Sequence, residues 1–204
     1  MIWTTPNALT LLRLALIPLF IAVYYSPIAQ ANEIATAIFV VAAATDWLDG
    51  YFARRLQQYS AFGAFLDPVV DKLIVVAALV LLVADQYVTA GVLDARLFAI
   101  VILVIIGREI AVSALREWMA GSGKGSRVAV SFVGKIKTTA QMVAIPFLLW
   151  RESIAGLPIL RTGEVLLYIA AGLTLWSALI YLRLAWVDLV RPAPAARPRR
   201  RRVT

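Results

Sequence analysis

Apolar runs long enough to cross a lipid bilayer recur along this chain, and they leave little room for anything but a bundle of helices. A spanning helix needs about 20 residues. Runs of that order lie at residues 8–25, 34–52, 65–84, 97–118, 136–150 and 165–187, the fifth being short. In hydrocarbon the backbone must satisfy its own hydrogen bonds, which a helix does within one segment. Composition agrees: 62% of the residues are hydrophobic, against about 45–50% in soluble domains. Between the runs stand turn formers, at Ser26-Pro27, Gly91, Gly121 to Gly125, and Gly156 with Pro158. No repeat of fixed period occurs. The expected architecture is all-α: one polytopic membrane domain over residues 1–190 with about six transmembrane helices, then a basic tail over 191–204.

Charge sets the orientation. Inner loops are expected to hold Arg54, Arg55, Lys124, Arg127, Lys135 and Lys137. Outer loops are expected to hold Arg96, Arg151 and Arg161, with Glu33, Asp85, Asp94, Glu152 and Glu164 nearby. The excess of Lys and Arg places both termini in the cytoplasm. Six arginines of the tail, Arg191, Arg197 and Arg199 to Arg202, account for most of the net charge of +8. A Pro/Ala/Arg tail builds no core and is expected to be disordered. Beside a membrane its arginines attract anionic lipid, so the basic character points to membrane lipids and not to nucleic acid. Ala29-Gln30-Ala31 looks like a signal-peptidase site, but no basic side chain precedes Leu11. The first run is therefore read as a span.

The chain contains no cysteine and no histidine. Thiol nucleophiles, disulfides and the usual zinc sites are excluded, and so is the commonest general base. Acid–base and metal chemistry must run on carboxylates. Ionisable groups at membrane depth are expensive and by default functional. Here Arg13, Asp46, Asp49, Arg54, Asp67, Asp71, Lys72, Arg108, Glu109, Arg116, Lys135, Lys137 and Arg183 all fall toward the inner ends of the runs. A snorkelling belt of cations accounts for Arg55 and Arg183, but not for four aspartates. Asp46 and Asp49 are three apart, Asp67 and Asp71 four apart, so each pair shares a helix face. Gly50 and Ala53 leave room beside the first pair, and Arg54 offers a charge suited to phosphate. Asp67-Pro68 also has the form of an N-cap followed by proline at the first helical position. Four carboxylates together call for cations, and oxygen-only ligation suits Mg2+ or Mn2+, as one or two ions.

The pattern D-x2-D-G-x2-A-R-x8-G-x3-D-x3-D is met at every fixed position, by Asp46, Asp49, Gly50, Ala53, Arg54, Gly63, Asp67 and Asp71. It resembles the signature of the CDP-alcohol phosphatidyltransferases. The resemblance implies a six-helix membrane fold, often a homodimer, in the bacterial inner membrane with its site at the cytoplasmic face. It implies that Asp46, Asp49 and Asp67 bind metal, and that Asp71 is the general base and touches a second ion. It further implies that Asn7, Thr10, Gly50, Ala53, Arg54, Ser60 and Gly63 line the place of the CDP-lipid, CDP-diacylglycerol.

The acceptor alcohol differs within such a family. The segments Gly107 to Ile110, Ser113 to Met119 and Gly134 to Met142 resemble the bacterial phosphatidylglycerophosphate synthase branch, which implies glycerol 3-phosphate. A phosphorylated acceptor needs fixed cations, and Arg108, Lys135 and Lys137 are the candidates, with Thr138 and Gln141 for its hydroxyls. Both of these are equally suited to polar packing between helices. Two other acceptors stay open, giving a phosphatidylinositol phosphate or a cardiolipin synthase. A transporter is the reading from another class. It would show broken helices and inverted repeats with a midplane site, and the sequence shows neither.

Overall fold

The computed structural model describes residues 5–56, 61–121, 132–154 and 156–190. Within its helices the side chains at 5–6, 46–47, 49–56, 61–62, 64–65, 116, 118–121, 132–135 and 180–190 lie outside the description. Among the described residues the chain is helical and forms no strand. Six long helices match the six apolar runs: α1 (Thr5–Tyr24), α2 (Ala31–Leu56), α3 (Ala61–Ala84), α5 (Ala95–Gly121), α6 (Phe132–Trp150) and α7 (Ile159–Val190). A short helix, α4 (Gln86–Gly91), fills the connection after α3. By length and composition, residues 7–24, 95–115 and 159–179 are each able to cross a membrane.

Several boundaries differ from expectation, with local causes. Helix α3 begins at Ala61, so Asp67 is not a cap and Pro68 is interior. Proline has no N–H for the carbonyl four residues earlier, here that of Ala64. Arg54 and Arg55 belong to α2, and Lys135 and Lys137 to α6, not to loops; Arg and Lys are good helix formers and extend the ends they occupy. On the far side, Asp85 and Asp94 are capping residues. Asp85 Oδ1 accepts from the backbone N–H of Tyr87 and Val88, and Asp94 Oδ1 from those of Arg96 and Leu97. Arg161 and Glu164 lie in the opening turns of α7, and Glu164 is wholly buried.

Successive helices joined by short connections pack antiparallel. Helix α7 lies along α6 and α5, α1 packs on α2 and α3, and α2 reaches α6. The core is Phe20, Phe39, Leu79, Leu82, Phe98, Ile105, Ile145, Leu148, Leu149 and Leu167, each essentially without solvent contact. The outward faces are also apolar, with Leu103, Ile110, Trp176 and Leu179 exposed. A helix apolar on all sides is what lipid surroundings require.

Polar contacts tie the connections together at the end where α1 and α3 finish and α5 and α7 begin. Asp85 Oδ2 accepts from Tyr24 Oη at 2.7 Å and from Arg151 Nη2 at 2.5 Å. Arg151, in the left-handed region at φ 66°, stacks over the rings of Tyr24 and Tyr87. Glu164 accepts from the Leu93 N–H at 2.9 Å, from Tyr168 Oη at 2.9 Å and from Arg161 at 3.2 Å. These donors allow a carboxylate to be buried.

Helices α6 and α7 approach closely at Gly163. A Cβ there would stand 3.0 Å from Leu148 Cγ and Phe147 Cβ and 3.1 Å from the Ala144 carbonyl, whereas one at Gly172 would meet nothing within 4 Å. Small residues allow such contact between membrane helices. Gly163→Leu should therefore destabilise the protein by about 1–3 kcal/mol through overpacking, while Gly172→Ala should be near neutral. Thermal unfolding in detergent distinguishes the two.

Candidate functional site

Helix α1 brings its polar residues onto α3. Asn7, Thr10 and Arg13 are three apart on one face, and all are buried. Thr10 Oγ1 donates to Asp67 Oδ1 at 2.5 Å, and Arg13 Nη1 is ion-paired with Asp71 Oδ1. Two residues spaced by three on α1 thus meet two spaced by four on α3, one turn for one turn. Gly63, one turn before Asp67, is buried on the same helix. Arg13 is 1% exposed and the Asp71 side chain 38%, so the pair has a sealed side and an open one.

A second charged set joins α5, α6 and α7. Glu109 Oε1 accepts from Arg108 Nη1 at 2.8 Å and is also ion-paired with Lys137 Nζ. Arg108 Nη2 donates to Ser177 Oγ at 2.6 Å. The Arg108 and Lys137 side chains are 8% and 6% exposed, and Glu109 24%. Gln141, one turn from Lys137, is buried, whereas Thr138 is exposed on another face of α6.

Both sets lie at one depth. Asp71 stands 13 residues from the Ala84 end of α3, Arg108 13 from the Ala95 end of α5, and Lys137 13 from the Trp150 end of α6. At 1.5 Å of rise per residue each is roughly 20 Å from the end closed by Asp85 and Arg151.

The other sequence-derived candidates are placed only in part. Asp46, Asp49, Gly50, Ala53 and Arg54 are on the last three turns of α2, and Lys135 in the first turn of α6, but their side chains lie outside the described residues. Ser60 lies outside them altogether. Among the described residues no three acidic side chains gather at one point. Asp67 and Asp71 offer oxygen donors alone on one helix face, in a chain without histidine or cysteine. That donor chemistry fits a hard divalent cation and not zinc.

Sequence places Arg13 and Glu109 among the charges at the inner ends of the runs without giving either a partner, and it does not mark Ser177. Arg13 reads as one charge in an apolar run, although its spacing of three from Thr10 marks a shared face. Glu109 reads as one more charge beside Arg108. Ser177 gives no sequence signal, since a serine in an apolar helix is common.

Comparison with known proteins bears on the whole of this arrangement. A family model described as CDP-alcohol phosphatidyltransferase matches residues 3–176. A protein of Yersinia enterocolitica named CDP-diacylglycerol–glycerol-3-phosphate 3-phosphatidyltransferase is 50% identical over 187 residues, 92% of this chain and 97% of its own. Proteins of the same name from Salmonella typhimurium and Escherichia coli K12 are 50% identical over 185 residues, 91% of this chain and 96% of theirs. The match covers the charged residues of both sets and ends at Trp176, and the chain belongs to the CDP-alcohol phosphatidyltransferase family.

Proposed function

We propose that this protein transfers the phosphatidyl group of CDP-diacylglycerol to glycerol 3-phosphate, giving phosphatidylglycerol phosphate and CMP. The observation that carries the reading is half identity, over nine-tenths of both chains, to relatives named for that reaction. The site supports it chemically. Carboxylates and buried cations stand at one depth on neighbouring helices, as a reaction between two phosphorylated substrates requires.

Asp71 takes the proton of the acceptor's 1-hydroxyl as that oxygen attacks the β-phosphorus of the lipid. The bond from that phosphorus to the CMP oxygen breaks, and CMP leaves. Arg13 holds Asp71 by Oδ1 and Thr10 holds Asp67 by Oδ1, fixing how both carboxylates face the opening. Asp46, Asp49, Asp67 and Asp71 would hold Mg2+ or Mn2+, two ions, which when bound offset negative charge on the pyrophosphate. Asn7, Thr10, Gly50, Ala53, Arg54, Ser60 and Gly63 face the CDP-lipid, whose chains stay in the bilayer. Arg108, Lys135 and Lys137 receive the acceptor's phosphate, and Gln141, buried one turn from Lys137, is better placed for its hydroxyls than Thr138, which is exposed on another face of α6. The six long helices each cross the inner membrane, with the site and both termini at the cytoplasmic side and two copies forming a homodimer.

The direct test offers glycerol 3-phosphate, inositol phosphate, phosphatidylglycerol and glycerol to purified enzyme with CDP-diacylglycerol. Glycerol 3-phosphate should be preferred by a wide margin, with glycerol poor because it leaves buried cations unpaired. Preference for any of the others overturns the acceptor assignment.

Asp71→Asn should retain CDP-lipid binding and lose roughly 100- to 10,000-fold in turnover, the usual worth of a general base. Near-native turnover by this variant removes Asp71 from the mechanism.

Chelation with EDTA should abolish activity, and added Mg2+ or Mn2+ should restore it. Full turnover in metal-free buffer rules out the metal-assisted scheme.

A further inference from the structure

Glu109 raises a question that acceptor binding alone leaves open. Two cations assigned to an incoming phosphate already share a carboxylate oxygen. Such a carboxylate either competes with the substrate or builds its site.

The geometry favours building. Arg108 and Glu109 come from α5, Lys137 from α6 and Ser177 from α7. Two cations from different helices, each more than nine-tenths buried, repel one another strongly in low dielectric. A carboxylate touching both offsets that repulsion and lets them stand together. Glu109 uses Oε1 for both contacts, so one atom fixes their separation. Ser177 takes Arg108 Nη2, and its own hydroxyl donates to the Thr174 carbonyl at 3.1 Å, which aims the accepting lone pair at the guanidinium. Arg108 is thus held at both terminal nitrogens, while its buried Nε meets no acceptor among the described residues. A guanidinium with both terminal nitrogens fixed is oriented before any oxyanion arrives.

We propose that Glu109 and Ser177 are positioning residues of the acceptor site. They hold Arg108 and Lys137 as a preformed clamp for the phosphate of the acceptor. Preforming the clamp spares the substrate the ordering of two long side chains. The inference rests on the reading that Arg108 and Lys137 receive that phosphate.

Purified Glu109→Gln, Glu109→Asp, Ser177→Ala and Arg108→Ala enzymes test it, with KM and kcat measured for each substrate in turn. Glu109→Gln should lower the melting temperature, because two buried cations lose their countercharge, and in the folded enzyme raise KM for glycerol 3-phosphate at least tenfold while leaving KM for CDP-diacylglycerol within about twofold. Glu109→Asp should recover part of the loss. Ser177→Ala should raise the same KM severalfold, and it carries the test if Glu109→Gln does not fold. An unchanged KM for glycerol 3-phosphate in folded Glu109→Gln or, failing that, in Ser177→Ala overturns the proposal, as does an equal rise for both substrates. A fall in that KM for Glu109→Gln overturns it too, because it shows the carboxylate competing with substrate. Arg108→Ala separates the two levels. If it leaves KM for glycerol 3-phosphate unchanged, the acceptor-site reading itself fails. If it raises that KM while Glu109→Gln does not, the positioning role alone fails.

Discussion

A guanidinium buried in an apolar helix bundle fixes how the first helix sits. Arg13 is 1% exposed, and a charge so placed is tolerated only when paired. Its partner, Asp71, belongs to another helix, so the pair sets both the rotation and the height of α1 against α3. Thr10 then falls opposite Asp67, and Asn7 is carried inward with it. The same face of α1 continues to Phe20, which packs on Phe39 of α2, and to Tyr24, which bonds Asp85 beyond the end of α3. One helix face thus holds a polar site end, an aromatic middle and a hydroxyl at the far end. A shift of α1 by one residue would break all three.

The two ends of the bundle use polar groups differently. At the far end, Asp85 and Arg151 bind each other, Asp85 caps α4 and Glu164 holds the connection at Leu93, so three chain crossings are tied down. Asp85 spends both oxygens this way and Glu164 accepts three donors, so this end is a closed structural network. Toward the other end the charged groups stand along helices about 20 Å away, and Asp71 and Glu109 remain partly open. Fixed helix ends on one side let mid-helix side chains on the other hold a constant spacing. Chemistry that needs several helices at once depends on that.

Much of this was legible in the sequence because membranes impose simple rules. Run length and backbone self-satisfaction gave the six long helices, and an eight-position pattern marked Asp67 and Asp71 with their face. What stayed hidden was pairwise. Whether Asp67 capped a helix depended on where α3 begins, and the apolar sequence before Pro68 continues the helix without a capping signal. By sequence Glu164 is one acid beside an outer loop. Only the fold brings the Leu93 N–H and the Tyr168 hydroxyl to it and allows its burial. Arg13, Glu109 and Ser177 found partners 58, 28 and 69 positions away. Separations of that kind carry no local pattern, since spacing along a helix reports on its own face and not on what faces it.

The division of charge between the two sets follows from what each must receive. In the α1–α3 set two carboxylates face one guanidinium, and in the α5–α7 set two cations face one carboxylate. Among the described residues each set is compensated enough to be buried, yet keeps an excess of one sign. Full neutralisation would leave nothing to attract a ligand, and none at all would leave the helices repelling one another. An acidic surplus suits a divalent cation, and a basic surplus at the same depth suits a phosphate dianion. Joining two phosphorylated substrates near hydrocarbon needs both, because neither like-charged phosphates nor bare carboxylates approach one another there unaided. Arg13 and Glu109 therefore answer to the same constraint: among the described residues each is a countercharge that lets a charged pair be assembled before its ligand arrives.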